Sequence, residues 1–183
     1  GMKKLLTILC LVLLVSCSPP PEVPSHRLIM NGGMTFEISS NDPFTGVSIK
    51  YHHNNQLSNR TNYKNGEQHG LEERFHKDGQ LYLREEYRDG KKHGPWESFY
   101  NNGQLWERGY FKDGKEHGLY ERYYKNGQLE ARGNYKNRII DGLVERYYEN
   151  GQLKRRENYK NGERVGLWEY FDDERNLTKT ENY

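Results

Sequence analysis

Apolar and aromatic residues recur at fixed places along this chain, within a phrase of 24 residues. The phrase has no insertions or deletions, and each of its six copies begins with a glycine: Gly46, Gly70, Gly94, Gly118, Gly142 and Gly166. A fixed period of roughly 20–50 residues is typical of repeat proteins, in which each unit packs on its neighbours. The sequence therefore predicts a repeat domain rather than a globule.

Three columns of the phrase are apolar in every copy. Position six is aromatic, position twelve is leucine and position eighteen is aromatic, as Tyr123, Leu129 and Tyr135 show in the fourth copy. Asn-Gly or Asp-Gly lies between positions six and twelve in four copies, and these residues tolerate the positive φ of a hairpin turn. The pattern predicts an all-β fold, in which tandem 24-residue β-hairpins form an elongated, twisted antiparallel meander sheet.

Two hairpin registers are compatible with this turn. A two-residue turn places Glu121 opposite Arg132, as an ion pair across the strands. A three-residue turn with a bulge at Gly127 places Tyr123 opposite Leu129 instead. We favour the second register, because it puts both invariant apolar columns on one face and because an exposed ion pair contributes only about 0–1 kcal/mol.

The favoured register also predicts partners for the arginine column at position fifteen. Arg132 would lie opposite Tyr120, and Arg108 would lie opposite Trp96. Each pair would then be a cation–π contact.

The phrase resembles the MORN repeat, and in particular the bacterial MORN-repeat-variant family. The resemblance rests on Y-Y-x-N-G-Q-L at 123–129, Y-K-N-G at 159–162, the joints H-G-P-W-E and H-G-L-Y-E that begin at His93 and His117, and the lead-in D-P-F-T-G at 42–46. It covers residues 34–183 and implies a sheet of repeated hairpins. Because members of this family are often described as antitoxin components of toxin–antitoxin modules, it also implies an antitoxin or immunity role.

The N-terminal residues carry the features of a secretion signal. Gly1 is extra to the expected start at Met2, and two lysines precede an apolar run at residues 5–15. That run is too short to span a membrane, which takes about 20 apolar residues. It ends in L-V-S-C at Cys17, which resembles a bacterial lipobox, so we predict a signal peptide at residues 1–16 and lipid attachment to Cys17. An ordinary cleaved signal and a buried strand are the alternatives.

The rest of the chain divides into a tether and the repeats. Residues 17–33 are predicted to be the lipidated cysteine and a tether, because prolines favour polyproline II and cannot join the interior of a sheet. Residues 34–183 are predicted to be the repeat domain. Within it, residues 34–39 are expected to cap the first copy, and the polar tail at 176–183 is expected to cover the other end.

The composition of the chain limits which partners it can bind and how large its apolar core can be. The predicted signal contains two of the 28 basic residues, which leaves 26 basic and 26 acidic residues in the rest of the chain. This balance excludes the strongly basic surface that is typical of a nucleic-acid-binding protein. The chain is only 33% hydrophobic, but 15 Tyr and 6 Phe supply apolar area, so we expect a thin core. Cys10 leaves with the signal, and the mature domain therefore has no thiol.

The repeated polar columns indicate structure rather than chemistry. Glutamate at position four and arginine at position fifteen each occur in five copies, whereas acid–base catalysis needs one unique site. His69, His93 and His117 end three successive copies, about 9–10 Å apart across two strands, which is too far to share one metal ion. We predict no enzyme activity, no catalytic residue, no metal and no cofactor.

Positions that break the repeat are the candidates for function. Tyr82 and Trp106 occupy position thirteen, and Trp96 and Tyr120 occupy position three, all in the middle copies. We expect these four to gather on the face away from the leucine column, as a surface for binding a partner. The alternative is that they pack as the second face of the sheet.

These observations predict a non-enzymatic, membrane-tethered repeat scaffold that binds a protein partner. An antitoxin or immunity protein that neutralises a toxin by binding it would be one instance. The alternative is a carbohydrate- or peptidoglycan-binding lipoprotein that stacks sugars on its exposed aromatic residues. We expect no nucleic-acid partner. The lipid would anchor the protein in the bacterial cell envelope, at the outer membrane or cell surface rather than the inner membrane.

The lipid anchor is directly testable. In a bacterial host, Cys17→Ser is expected to abolish palmitate labelling and to release the protein from the membrane fraction, because Cys17 is the predicted site of acylation. Labelling that persists in Cys17→Ser would contradict the prediction, and Cys10→Ser is the matched control that should leave labelling unchanged.

Overall fold

A computed structural model describes residues 19–183, and nearly all of the regular secondary structure in this region is β-strand. No α-helix occurs within it, and a single 3-10 turn spans Ser25–Arg27. None of its helical segments is long and apolar enough to cross a membrane. The predicted signal peptide and the predicted lipid site at Cys17 lie outside the described residues.

The strands follow the repeat phrase from copy to copy. They are β1 (Glu22–Pro24), β2 (Leu28–Asn31), β3 (Met34–Glu37), β4 (Gly46–Tyr51), β5 (Leu57–Lys64), β6 (Glu67–Phe75), β7 (Leu81–Arg88), β8 (Lys91–Phe99), β9 (Leu105–Lys112), β10 (Lys115–Glu116), β11 (Gly118–Tyr123), β12 (Leu129–Lys136), β13 (Ile139–Ile140), β14 (Gly142–Tyr147), β15 (Leu153–Lys160), β16 (Glu163–Arg164), β17 (Leu167–Phe171) and β18 (Leu177–Asn182).

One long sheet contains most of these strands and confirms the predicted all-β hairpin fold. From β4 to β18 the strands pair antiparallel in chain order, and each copy contributes one long hairpin. The short strands β10, β13 and β16 pair back on the strand before them, at the joints between copies. Strands β2 and β3 form a separate two-stranded sheet.

The tight turns have the predicted three-residue form. In the fourth copy, the Tyr124 N–H donates to the carbonyl of Gln128 at 2.8 Å, and the Gly127 N–H donates to the carbonyl of Tyr124 at 2.9 Å. Gly127 has φ +84°, a conformation that glycine adopts at little cost. The Asn126 side chain accepts from the Gln128 N–H at 2.9 Å, which closes the turn locally.

The predicted partners of the arginine column are wrong. Tyr123 does pair with Leu129, but Arg132 pairs with Glu121 and not with Tyr120. The reason is a β-bulge in the second strand of the hairpin. Arg122 faces Ala131 and Tyr123 faces Leu129, so the residue between Ala131 and Leu129 has no partner on the opposite strand. This bulge shifts the register by one residue, and so each hairpin has features of both registers considered above.

The same shift occurs in the third copy. Arg108 pairs with Glu97, and Gly109 lies opposite Trp96, so the expected contact of Arg108 with Trp96 does not form across the strands.

The edge of the sheet begins earlier in the chain than expected. Strand β1, within the segment predicted as a tether, pairs parallel with β4, and the Val47 N–H donates to the carbonyl of Pro21 at 2.8 Å. Val23 is buried there, opposite Ser48 of the first copy. Prolines are tolerated because β1 is an edge strand, which does not need every N–H. The expected capping segment, residues 34–39, holds β3 of the separate small sheet, and its Thr35 N–H donates to the carbonyl of Gly66 in the first copy at 2.8 Å.

The core is thin, as the composition predicts. The buried apolar side chains in the described region are Val23, Phe44, Val47, Ala131, Val144 and Trp168. Buried carboxylates lie among the strands with cationic partners; Glu157, for example, is 2% exposed and contacts Arg155 and Arg146 at 2.7 and 3.2 Å.

A column of side chains at position seven connects each copy to the next. The hydroxyls of Tyr100, Tyr124 and Tyr148 donate to the backbone carbonyls of Tyr123, Tyr147 and Phe171 at 2.7, 2.7 and 2.9 Å. In the first copy, His52 Nε2 makes the same contact with the carbonyl of Phe75 at 2.8 Å. We call each of these bonds a rung, and together they fasten neighbouring hairpins side by side.

Removing one rung is expected to weaken the sheet. Tyr124→Phe should lower the free energy of unfolding by about 1 kcal/mol, because the carbonyl of Tyr147 loses its side-chain donor. Urea denaturation followed by circular dichroism measures the change. Tyr135→Phe is the matched control, since the Tyr135 hydroxyl has no hydrogen bond to any described residue; equal losses for the two variants would contradict the role of the rung.

Candidate functional site

The two faces of the sheet carry different columns. Glutamates at position four and arginines at position fifteen share one face with the invariant leucines, and we call it the ion-pair face. Positions three, five and eighteen point to the opposite side, where rings contact one another, and we call it the aromatic face. On it, Trp96 lies 5.9 Å from Phe111 and 6.2 Å from Tyr120, between ring centroids.

The ion-pair face is a ladder that runs across copies. Arg132 contacts Glu145 of the next copy at 2.6 Å, and Arg156 contacts the same carboxylate at 3.3 Å. Burial by itself would raise the pKa of Glu145, but the hydrogen bonds from Arg132, Tyr147 and Arg156 outweigh it and hold the pKa below its usual range. Because similar contacts join Arg108 to Glu121, the ladder is structural and does not single out one reactive site.

The aromatic face opens into a concavity of about 710 Å³ in the middle copies. Its walls come from strands β7, β8 and β9 and from the turn after β8. The residues that line it are His76, Tyr82, Leu83, Trp96, Ser98, Phe99, Tyr100, Asn101, Asn102, Trp106, Glu107 and Lys125.

Three of the four residues predicted from sequence line this concavity together. Tyr82 and Trp96 are half-buried in it, whereas Trp106 is 41% exposed. Tyr120 lies on the far side of Trp96, in an adjacent depression of about 200 Å³ that also contains Trp96 and Glu107. The predicted residues therefore form one continuous surface on the aromatic face.

Glycines opposite the large side chains explain why this surface forms in the middle copies. Trp96 faces Gly109 and Tyr120 faces Gly133, whereas a glutamate occupies the equivalent column in the second and fifth copies, as Glu85 and Glu157. A Cβ on Gly109 would come within 2.7 Å of Trp96 Nε1, and the indole therefore lies directly over the bare backbone. Glycine here provides space rather than an unusual φ.

The lining residues that were not predicted from sequence include His76, Ser98 and Tyr100. The Tyr100 ring lies 5.8 Å from Trp106, and the His76 ring lies 4.6 Å from Tyr82, between centroids. The alternation of a strand would have located two of them, since Ser98 and Tyr100 follow Trp96 at intervals of two residues. His76 directly follows the end of β6, and only its contact with Tyr82 reveals its place in the concavity.

Three residues that line the concavity contain buried polar atoms without partners. Within residues 19–183, no group hydrogen-bonds to His76 Nε2, Trp96 Nε1 or Ser98 Oγ, although all three atoms are buried. In contrast, nearby charges are engaged. The Tyr120 hydroxyl donates to Glu107 at 2.6 Å, and Arg122 pairs with Glu130 at 2.6 Å.

Burial is the main influence on the pKa values of two tyrosines near the concavity. Burial raises the pKa of Tyr120, and its hydrogen bond to Glu107 raises it further. Burial also raises the pKa of Tyr100, and the negative charge of Glu130 adds to this shift. Both phenols are therefore neutral at physiological pH and act as walls or hydrogen-bond donors. No group of three or more metal-binding side chains exists among the described residues.

Comparison with protein families identifies the repeat. The family described as MORN repeat variant matches residues 44–65, 68–89, 92–113, 116–137 and 140–161, which together are more than half of the chain. The chain belongs to the MORN repeat variant family. The sixth copy lies beyond these matches, yet β17 and β18 form the same bulged hairpin as the other copies.

Other comparisons add little to this assignment. No curated protein matches this MORN repeat chain. Among solved structures, a match was found to the crystal structure of GtfA/B complex bound to UDP and GlcNAc, with a TM-score of 0.27 and 14% sequence identity. The match covers 62% of this chain and only 22% of that one, and it carries no argument about fold or function.

The packing of Trp96 on Gly109 can be tested. Gly109→Ala is expected to displace the indole, because the new Cβ would lie 2.7 Å from Nε1, and the indole N–H resonance of Trp96 should shift in a ¹H–¹⁵N spectrum. The Trp168 resonance is the internal reference, since that N–H donates to the carbonyl of Asn158. Gly133→Ala, in the same column of the next copy, is the control, and an equal Trp96 shift in that variant would refute the packing.

Proposed function

We propose that this MORN repeat protein is a non-enzymatic scaffold, tethered to a membrane at its N-terminal end, that binds a partner through the aromatic face around Tyr82, Trp96, Trp106 and Tyr120. MORN repeats generally serve as non-enzymatic scaffolds. One observation carries the proposal: the aromatic residues that break the repeat gather around a single large concavity, and Trp106 is exposed at its rim.

A protein is the first class of partner to consider. Trp and Tyr dominate the binding energy of protein interfaces when they lie near the centre of the contact. The last strand, β18, pairs only with β17 among the described residues, and its other edge offers backbone groups for strand addition. An immunity or antitoxin role would be one instance, in which the scaffold neutralises a toxin by covering it.

The tether rests on the sequence pattern that ends at Cys17. The described region begins just after it, and β1 then joins the edge of the first copy. A lipid at Cys17 would hold the first copy near the membrane and leave the middle copies, with the concavity, farther along the sheet. We therefore place the protein in the bacterial cell envelope, with its aromatic face available to envelope partners.

Site-specific photo-cross-linking in intact cells tests the docking surface. A benzophenone amino acid at position 106 should yield a cross-linked adduct, because benzophenone reacts with C–H bonds of any partner that contacts the rim. The same amino acid at position 154 is the matched control, since Lys154 occupies the same column as Trp106 two copies later and lies outside the concavity. Peptides foreign to this chain, found by mass spectrometry of the digested adduct, identify a protein partner, and an adduct whose added mass is removed by glycosidases identifies a glycan.

The negative outcome is equally clear. If position 106 yields no adduct that position 154 lacks, the aromatic face is not a docking surface and the proposal fails.

A further inference from the structure

We propose that the concavity is a binding site for a neutral, hydroxyl-bearing sugar ring, which stacks on Trp106 and Tyr100 and hydrogen-bonds to His76, Trp96 and Ser98. This inference rests on the proposed function, and it names the class of ligand that the aromatic face takes. Residues that line the concavity carry three of the six buried side-chain polar atoms that have no hydrogen-bond partner in the described region.

The first observation is an interrupted column. The position-seven side chain forms a rung to the next copy at His52, Tyr100, Tyr124 and Tyr148. His76 occupies the same position in the second copy, but its Nε2 atom is buried and has no hydrogen-bond partner among the described residues. The ring instead lies against Tyr82. The one missing rung therefore coincides with the concavity.

The second observation is that the residues with unsatisfied atoms line the same concavity. Ser98 is only 9% exposed, and its Oγ lacks a partner in the described region, as does Trp96 Nε1. Folded proteins rarely leave buried polar groups unpaired, since each loses its hydration without compensation. Three such atoms lining one concavity indicate that an external group completes them.

The chemistry of these atoms selects hydroxyl groups. The Trp96 N–H can only donate, whereas Ser98 Oγ and His76 Nε2 can each donate or accept. A hydroxyl group also does both, so neighbouring hydroxyls on one ring can satisfy all three atoms without a charge. The lining carries one cation, Lys125, whose ammonium lies 5.9 Å from the centroid of the Tyr100 ring, and one carboxylate, Glu107; these charges balance, so a neutral ligand suits the concavity better than a phosphate or carboxylate.

The walls select a ring with an apolar face. Trp106 and Tyr100 lie 5.8 Å apart between centroids, and Tyr82 lies across the concavity in contact with His76. The C–H groups of a pyranose form such a face, while its hydroxyls project from the edge. Pockets for small ligands measure roughly 300–1,000 Å³, and the volume of about 710 Å³ fits a sugar unit of a chain.

Column seven provides a variant that fills the site without disturbing the fold. His76→Tyr places in the second copy the residue that the third, fourth and fifth copies already have, and its hydroxyl is expected to form the missing rung to the carbonyl of Phe99. His52→Tyr makes the identical change in the first copy, where the rung exists and the concavity is absent.

Binding is measured with the intact mature protein on an array of neutral and anionic glycans, and then by calorimetry with the neutral oligosaccharide that binds best. His76→Tyr and Trp106→Ala are each expected to weaken binding by about tenfold or more, whereas His52→Tyr and Lys154→Ala should leave it unchanged. His76→Tyr should also keep or raise the unfolding midpoint, which separates loss of the site from loss of the fold.

Three results would overturn the inference: no neutral glycan binds, only anionic glycans bind, or His76→Tyr binds as tightly as the unaltered protein. If no glycan binds while position 106 cross-links to a protein, the sugar assignment fails and the proposed scaffold function stands. If neither experiment finds a ligand at the aromatic face, both fail together.

Discussion

Side chains that reach from one hairpin to the next hold this sheet together. The core is too thin to do so alone, because few apolar side chains are buried in the described region. Hydroxyls at position seven bond to the backbone of the following copy, and arginines at position fifteen pair with glutamates of the following copy. Stability therefore depends on contacts between neighbours, as in other repeat arrays.

This arrangement explains how a chain of low hydrophobicity keeps a defined register. Each hairpin carries a tight turn, which glycine closes in four copies, and a bulge that restores the pairing of positions four and fifteen, such as Glu121 with Arg132. The bulge lets one face hold both the apolar pair Tyr123–Leu129 and the ion pairs, which a regular ladder would place on opposite sides. Polar and apolar contacts thus reinforce the same alignment.

Residues that depart from the repeat remove contacts locally, and contacts with the neighbouring copies compensate for the loss. Gly109 removes a side chain from the aromatic face and lets Trp96 lie over the backbone, whereas Glu85 fills the same column one copy earlier. His76 gives up a rung that its equivalents retain. Because ion pairs also join each copy to the next, one copy without a rung can exist without disrupting the sheet.

The sequence by itself determined the hairpin repeat, the three-residue turn and the face on which Tyr82, Trp96, Trp106 and Tyr120 gather, because period, turn residues and strand alternation are local properties. Only the tertiary structure decided the partners of Arg108 and Arg132, since a single bulged residue shifts all pairing beyond it. It also decided that β1 joins the sheet and that His76 belongs to the concavity. Both depend on contacts between residues distant in sequence, which no local pattern records.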